Sequence, residues 1–419
     1  MNSLKRVIQT HAQKYFSHLP FHEKSRPGRH SRDTATPVAM RSKRARASSP
    51  SPRELPGSAN DDADADAMAA VTRQRRVAEK VQFNDDFFSD DARAKRACET
   101  STVEVTRERG TSTISRCYAR YPVKVLTPRG GLEAGSDCAW AYSVSMGGGL
   151  VSGDESGMRV VVGDSCGLVL ATQGTQKVYK LKGGATYDGG SGGGEGVMET
   201  KDDQTGETVA ALRASVGSGG LLAVLPDPTQ IFRDAVFRQT QVIDLARDGS
   251  CVVVDWLTAG RIGYGNERWA FKEADVRTRV RVDGRVVVVE AMRLSGREED
   301  VIGGETLADR MGSINVFASL VMLGPRVESL GTDCLAWARA KAKRAMAERG
   351  AAWVRDPAAK DGFFVSGSEI PARANEHGRG IVLRFFATDS EIVNDALREI
   401  LAPLSEQLGA PPYNERGGS

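Results

Sequence analysis

The chain has 419 residues, enough for two or three domains, with 57 Lys and Arg against 54 Asp and Glu and a net charge of +3. That excess is local: residues 1–110 hold 21 basic against 15 acidic side chains and the rest 36 against 39, so the body has no global reason to seek nucleic acid or an anionic membrane. Six cysteines set far apart, with no C-x-x-C pair, exclude a zinc knuckle and a secreted disulfide framework, and no run approaches the ~18 apolar residues of a membrane span.

Residues 1–98 are rich in Ser, Pro, Arg and Ala, carry an acidic patch at 61–66, and lack periodic apolar content. Such a segment buries too little surface to offset ordering entropy, which predicts a disordered tail. Within it, residues 7–16 resemble the end of the recognition helix of SHAQKYF-class MYB-like repeats. A helix-turn-helix needs its supporting helix, and none precedes Met1, so this fragment reads as a remnant of a truncated or fused gene rather than a DNA reader. The basic cluster at 41–46 suits a nuclear signal, the Arg-rich composition an organelle transit peptide, and a solvated tail without any address explains both equally.

From Thr102 onward, short β-branched runs punctuated by Gly, Pro and Asp predict strands at 103–107, 112–118, 123–126, 139–144, 159–162, 168–171, 177–181, 208–214, 221–225, 236–245, 251–255, 276–282 and 286–294. Asp283-Gly284 joins the last two into a hairpin whose alternation exposes Arg277, Arg279 and Arg281. Residues 183–196 contain eight glycines and no apolar anchor, the composition of a flexible insertion rather than a phosphate cradle. Two amphipathic helices follow: 332–349, with Leu335, Ala338 and Ala342 on one stripe, and a second beginning after Thr388-Asp389-Ser390-Glu391, which has capping-box spacing. The body is therefore mainly β with two late helices, spanning 99–408, and 409–419 reads as a disordered end.

The densest motif is the run from Gly147 through Gly148, Gly149, Ser152 and Gly153 to Asp154. Closely set glycines permit positive φ and close approach of another strand, and a carboxylate stands at the end of the run. Taken with Thr172-Gln173-Gly174-Thr175-Gln176-Lys177-Val178-Tyr179, the 226–232 segment, Asp255-Trp256-Leu257-Thr258-Ala259-Gly260-Arg261 and the 265–268 segment, it resembles the urease accessory protein D family, UreD, also called UreH. The resemblance runs in order from about Ser101 to about Leu408.

The resemblance implies an elongated, helically arranged β body that is not an enzyme. It implies binding to apo-urease on one side and to the accessory proteins F and G on the other, with nickel supplied by the G protein passing through or along this subunit. GTP would enter through that partner alone, since no G-x-x-x-x-G-K-[ST] loop is present here. It implies a cytoplasmic protein, and no membrane.

Nickel favours imidazole and thiolate donors, yet four of the five histidines lie in the tail and His377 stands alone in the body. A conduit here must bind weakly through oxygen ligands. The carboxylates placed in or beside the motifs are Asp154, Asp255 and Glu267. Their bland roles are, for Asp154, a turn carboxylate, and for the other two, ion-pair partners of Arg261 and Arg268. His377 reads as a surface residue, and Cys166 and Cys251 as small apolar packing groups.

A competing enzyme reading starts from Gly163-Asp164-Ser165-Cys166-Gly167, which matches the nucleophile elbow G-x-S-x-G, with Asp255 and His377 following in hydrolase order. An elbow must lead into a helix. Here a strand-like run, 168–171, follows instead.

Overall fold

Parallel strands cannot be joined by tight hairpins, so a succession of short strands without intervening helices must cross to another sheet before returning. The computed structural model, which describes residues 92–128, 137–180, 206–263, 267–301, 304–348, 362–370 and 379–413, does this repeatedly. Helix α1 (Ala92–Glu99) leads into β1 (Thr102–Glu108), β2 (Thr111–Tyr118), β3 (Val123–Leu126), β4 (Ala139–Ser145), β5 (Leu150–Val151), β6 (Glu155–Val162), β7 (Gly167–Thr172), β8 (Gln176–Tyr179) and β9 (Thr208–Val216). Then come β10 (Leu221–Leu225), β11 (Thr229–Ile231), β12 (Val236–Leu245), β13 (Ser250–Thr258), β14 (Glu273–Val282), β15 (Arg285–Ser295) and α2 (Leu307–Met311). The described chain finishes with β16 (Val316–Leu323), α3 (Glu328–Glu348), β17 (Phe363–Ile370), β18 (Gly380–Ala387), α4 (Ser390–Leu401) and α5 (Ser405–Leu408).

The first sheet has the order β15-β14-β12-β9-β6-β1-β2 and the second β17-β18-β16-β13-β10-β7-β4-β3. Strands β6, β9, β12 and β14 run parallel in one, β4, β7, β10 and β13 parallel in the other, and β5, β8 and β11 make a short parallel ladder that joins the second sheet where β11 pairs with β13. Following the chain through β4-β5-β6, β7-β8-β9, β10-β11-β12 and β13-β14 traces successive coils. The expected mainly β, helically arranged body with late helices is thus what the chain forms.

Side-chain alternation divides the core into two layers. On the second sheet, Leu222, Val224, Cys251 and Val253 face the first sheet and meet Val160, Val162, Leu212 and Ala214. Their neighbours Leu221, Ala223, Val252 and Val254 face the other way, beneath Leu335 and Ala338 of α3 and Val393 and Leu397 of α4. Being covered on both faces, β10, β13 and β16 are buried at every position, which is why they read as near-continuous apolar runs. Cys166 and Cys251 are fully buried, and desolvation pushes the Cys251 thiol up to about 12.

The hairpin forms as expected, with Asp283 and Gly284 both at positive φ (47° and 76°) in the turn. Its arginines are less exposed than alternation suggested. Arg281 is buried against Asp244 of β12 and only Arg277 is largely open. Helix α3 begins four residues earlier than expected, at Glu328. Helix α4 is capped by the Asp389 side chain, which accepts from Glu391 N at 2.8 Å, while the Thr388 hydroxyl accepts from Gly362 N at 3.1 Å. The capping box expected from Thr388 and Glu391 therefore gives way to an Asx cap. A capping box does form at α2, between Thr306 and Asp309.

Both ends of the body extend further than expected. Helix α1 lies within the stretch assigned to the tail, and it sets Ala94, Ala97 and Cys98 on Val209, Ala211 and Val242. Arg93 donates to Glu155 at 2.7 Å and to the Glu207 carbonyl at 2.7 Å. Three small buried residues among Arg and Lys carry too faint a pattern to stand out from a polar tail. At the other end Tyr413 is buried, its ring edge-on to Trp256 and its hydroxyl donating to Pro226 O at 3.2 Å. The MYB-like fragment, the basic cluster, the glycine-rich insertion 183–196 and His377 lie outside the described residues. Among those described, no helix is long and apolar enough to cross a membrane.

The seat of α1 is tight at Gly157, where a Cβ would stand 2.4 Å from the Ala97 carbonyl carbon and 2.5 Å from its oxygen. Both are backbone atoms, so the helix must shift. Gly157→Ala is expected to destabilise the body by about 1–3 kcal/mol in urea denaturation and to speed hydrogen exchange in α1 ahead of the strands.

Candidate functional site

The motif segments, far apart in sequence, meet where the short ladder β5-β8-β11 closes the coils. Gly149 lies against β8 so closely that a Cβ there would be 2.6 Å from both Lys177 O and the Tyr179 ring. The close approach anticipated for this glycine run is thus an approach of β8, whose Lys177 and preceding Gln173 are exposed while Tyr179 is half-buried. Gly147 and Gly148 shape the preceding turn, and Ser152 and Gly153 the one after β5, at the rim of the corner. Asp154 closes that second turn: its carboxylate accepts from Val151 N at 2.9 Å and its own N–H donates to Val151 O at 3.0 Å. This is the turn-carboxylate role.

The Thr172 hydroxyl accepts from Asp227 N and the Asp227 carboxylate accepts from Gly174 N, each at 2.7 Å, locking two of the motif segments together. Phe232 packs edge-on to Tyr179 at 4.8 Å, and the Arg261 guanidinium lies over the Phe232 ring, 4.7 Å from its centroid. Arg261 also grips Glu267 through two hydrogen bonds of 2.7 Å. Gln230 donates to Gly260 O at 2.8 Å, fixing the same loop. Arg268, the other expected partner, turns instead to Asn315 and the carbonyls of Gly312 and Ile314. Glu267 is therefore occupied by a structural ion pair, and Trp256 points to the helix side, donating to Pro226 O at 2.8 Å.

Asp255 alone of the three carboxylates faces the space between the sheets. It is 8% exposed and its Oδ2 accepts from Gln239 at 2.8 Å and Gln241 at 3.1 Å. On one side lies a cavity of about 120 Å³, whose polar lining is Ser143, Ser156, Thr172, Gln176, Thr229, Gln239, Gln241 and Asp255. That is room for several waters. On the other side, a space of about 10 Å³ is lined by Asp255, Thr278, Glu290 and Ser319, among others. Glu290 in turn takes two hydrogen bonds from Arg384, at 2.7 and 2.5 Å, tying β15 to β18 across the gap between the sheets. A seam of polar side chains, set among apolar ones such as Met158, Leu212, Val276 and Phe317, thus runs from the motif corner, past Asp255, to this ion pair.

Desolvation pushes Asp255 up to about 6, opposed by its two glutamine hydrogen bonds and reinforced by the nearby Glu290. Both side chains that donate to it are neutral carboxamides. Among the described residues, no group of three or more His, Cys, Asp or Glu could hold a metal. One carboxylate with carboxamide and hydroxyl oxygens makes a hard, weak donor set, suited to a hydrated divalent cation in passage and unsuited to tight storage.

The sequence motif singled out Asp255 but not Gln239, Gln241 and Glu290, which stand around it. The signal was present in β12: Gln239 and Gln241 fall on the inward positions shared with Phe237 and Ile243, where polar side chains need a buried partner. Ser165, by contrast, sits at φ 54° in a turn joining β6 to β7. A strand follows that turn, so the helix that an elbow uses to build an oxyanion hole is replaced.

The fold and seam together define a two-sheet β coil with polar side chains at Asp255 and an exposed motif corner. Comparison with known proteins gives the family. The family described as UreD urease accessory protein matches residues 99–418, and the chain belongs to that family. The urease accessory protein D of Oryza sativa subsp. japonica is 31% identical over 77% of this chain and 97% of its own length. Urease accessory protein UreD of Anaeromyxobacter sp. (strain Fw109-5) is 35% identical over 74% and 87%, and urease accessory protein D of Arabidopsis thaliana 30% identical over 75% and 99%.

The shifted carboxyl has a measurable consequence for stability. An acid whose folded pKa lies above its ordinary 3.8 keeps its proton longer in the native state, so native stability falls as pH rises from about 4 to about 6 and the loss is complete above that. Asp255→Asn removes the effect: relative to wild type it should gain up to about 3 kcal/mol, growing through that window and level above it, in urea titrations taken from pH 4 to 8.

Proposed function

We propose that this chain is a non-catalytic urease maturation factor that passes nickel along the polar seam between its sheets. Apo-urease and the accessory proteins F and G are its partners, the G protein supplying both the ion and the GTP-driven step, in a cytoplasmic setting. The observation that carries the reading is Asp255, a buried carboxylate held by the Gln239 and Gln241 carboxamides between a cavity with room for several waters and a smaller space that Glu290 also lines. Nickel is cargo in this reading. An oxygen lining exchanges ligands without holding the ion for long, and the enclosing sheets keep competing cytosolic donors away.

Membership of the UreD family supports the partners, and the motif corner supports a docking surface at one end of the seam. Lys177, Gln173 and the glycine turn are its exposed parts, while Asp154 and the Arg261–Glu267 pair hold its shape. Asp154 and Glu267 then act on delivery through that shape, and Asp255 by meeting the ion.

Reconstitution of urease with this chain, the F and G proteins and nickel tests the proposal. Asp255→Ala is expected to lower urease activation by about tenfold while leaving co-purification with the partners unchanged, the loss expected when an interaction near 1.4 kcal/mol at a transit step is removed. Ser165→Ala should have no effect on activation. Full activation by Asp255→Ala at limiting nickel would reject the conduit, and loss of an esterase activity with Ser165→Ala would reject the non-catalytic reading.

A further inference from the structure

Among the described residues, large apolar side chains at the surface are few and unevenly spread. Tyr118, Tyr121, Leu126 and Met146 are exposed within the stretch that joins β2, β3 and the end of β4, whereas Ile262, Val286, Val289 and Val301 lie elsewhere along the chain. Tyr121, 63% exposed, is the most open of them. Single exposed apolar residues are ordinary, but a cluster of them marks a contact surface.

Backbone hydrogen bonds hold the cluster in place. Val123 N donates to Arg120 O at 2.9 Å, closing a turn with Tyr121 and Pro122 at its tip, and Met146 N donates to Pro122 O at 2.8 Å. Arg120 N in turn donates to the buried Ser101 hydroxyl at 3.2 Å. The tyrosines are thus presented on a fixed backbone, and little ordering entropy opposes their burial in a contact. The strands on either side of the turn are both sheet edges, β2 in the first sheet and β3 in the second. Met146 leads directly into Gly147 and Gly148, so the cluster continues into the motif corner.

Charge decides what fits there. From residue 109 to residue 126 every charged side chain is basic: Arg109, Arg116, Arg120 and Lys124, all of them exposed. Arg116 meets Glu104 at 3.4 Å, an open pair that leaves the positive excess in place. Lys177, exposed across the corner, adds to it. Like charges disfavour a second copy of this chain as the occupant, in the way that basic side chains guard sheet edges against self-pairing. Tyrosine, methionine and arginine are the residue types that protein contacts favour. We propose that Tyr118, Tyr121 and Met146, ringed by Arg116, Arg120 and Lys124, form a docking surface for an acidic segment of a partner protein that also carries apolar side chains. On the maturation reading above, on which this rests, that partner is one of apo-urease and the F and G proteins.

Binding kinetics test the surface. The full chain is titrated against purified apo-urease, F protein and G protein in turn, with association and dissociation followed by biolayer interferometry. Combining Tyr118→Ala, Tyr121→Ala and Met146→Ala is expected to speed dissociation from one of them about tenfold or more. Combining Arg116→Glu, Arg120→Glu and Lys124→Glu should slow its association about tenfold and remove the salt sensitivity that wild type shows. All six side chains are exposed, so the fold does not depend on them, and Val286→Ser with Val289→Ser on the opposite edge strand β15 should bind as wild type does. Unchanged rates in both variants for every partner that wild type binds, or an equal loss in the β15 variant, would overturn the docking surface and leave the maturation reading standing. Failure of wild type to bind any of the three would overturn that reading itself, and this surface with it.

Discussion

Parallel pairing without helices is the constraint from which the rest of this molecule follows. Because adjacent parallel strands must be reached by a crossing connection, each of β6, β9, β12 and β14 in the first sheet is entered from a strand of the second, and the chain coils. Two consequences come with the coil. Its interior is lined by alternate residues from both sheets, so a polar position on one strand meets polar positions on others. Its corners bring together segments that lie far apart in sequence, which is how Gly149, Thr172, Phe232 and Arg261 come to share one surface.

The interior is accordingly of two kinds. Toward the ends of β7, β10 and β13 nearest β1 and β2 it is an ordinary apolar core of Val, Leu and Cys. Toward Asp255 it turns polar, through Gln239, Gln241, Thr278 and Ser319. Burying an ionisable carboxyl in that position opposes stability, as its pKa near 6 records. The seam is where this chain departs from what packing alone would select.

Much of the fold was legible in the sequence because local physics decided it. The turn residues Asp283-Gly284 located the hairpin, β-branched runs located most strands, and the stripe of Leu335 and Ala338 located α3. What strand periodicity does not carry is the identity of the partner, so the parallel register of Arg159 with Arg213, or of Gln239 beside Ala210, could not be read from it. The motif corner was legible as a family resemblance, whereas its geometry assigned different roles to three carboxylates that looked alike: a turn brace for Asp154, an ion pair for Glu267, an interior position for Asp255. The tail boundary was missed because α1 buries only small residues, and the cap of α4 because the hydroxyl of Thr388 was already engaged by Gly362.

The carbonyl of Pro226 receives hydrogen bonds from both Trp256 and Tyr413, and the next residue, Asp227, holds the 172–174 turn of the motif corner. Tyr413 follows Pro226 by 187 positions. On the ribosome, the coils can begin to assemble as their strands emerge, but this clamp stays open until that late tyrosine is synthesised. The surface that the family motifs define is thus finished last in time, and a chain cut short before Tyr413 would present a corner lacking one of its two fasteners.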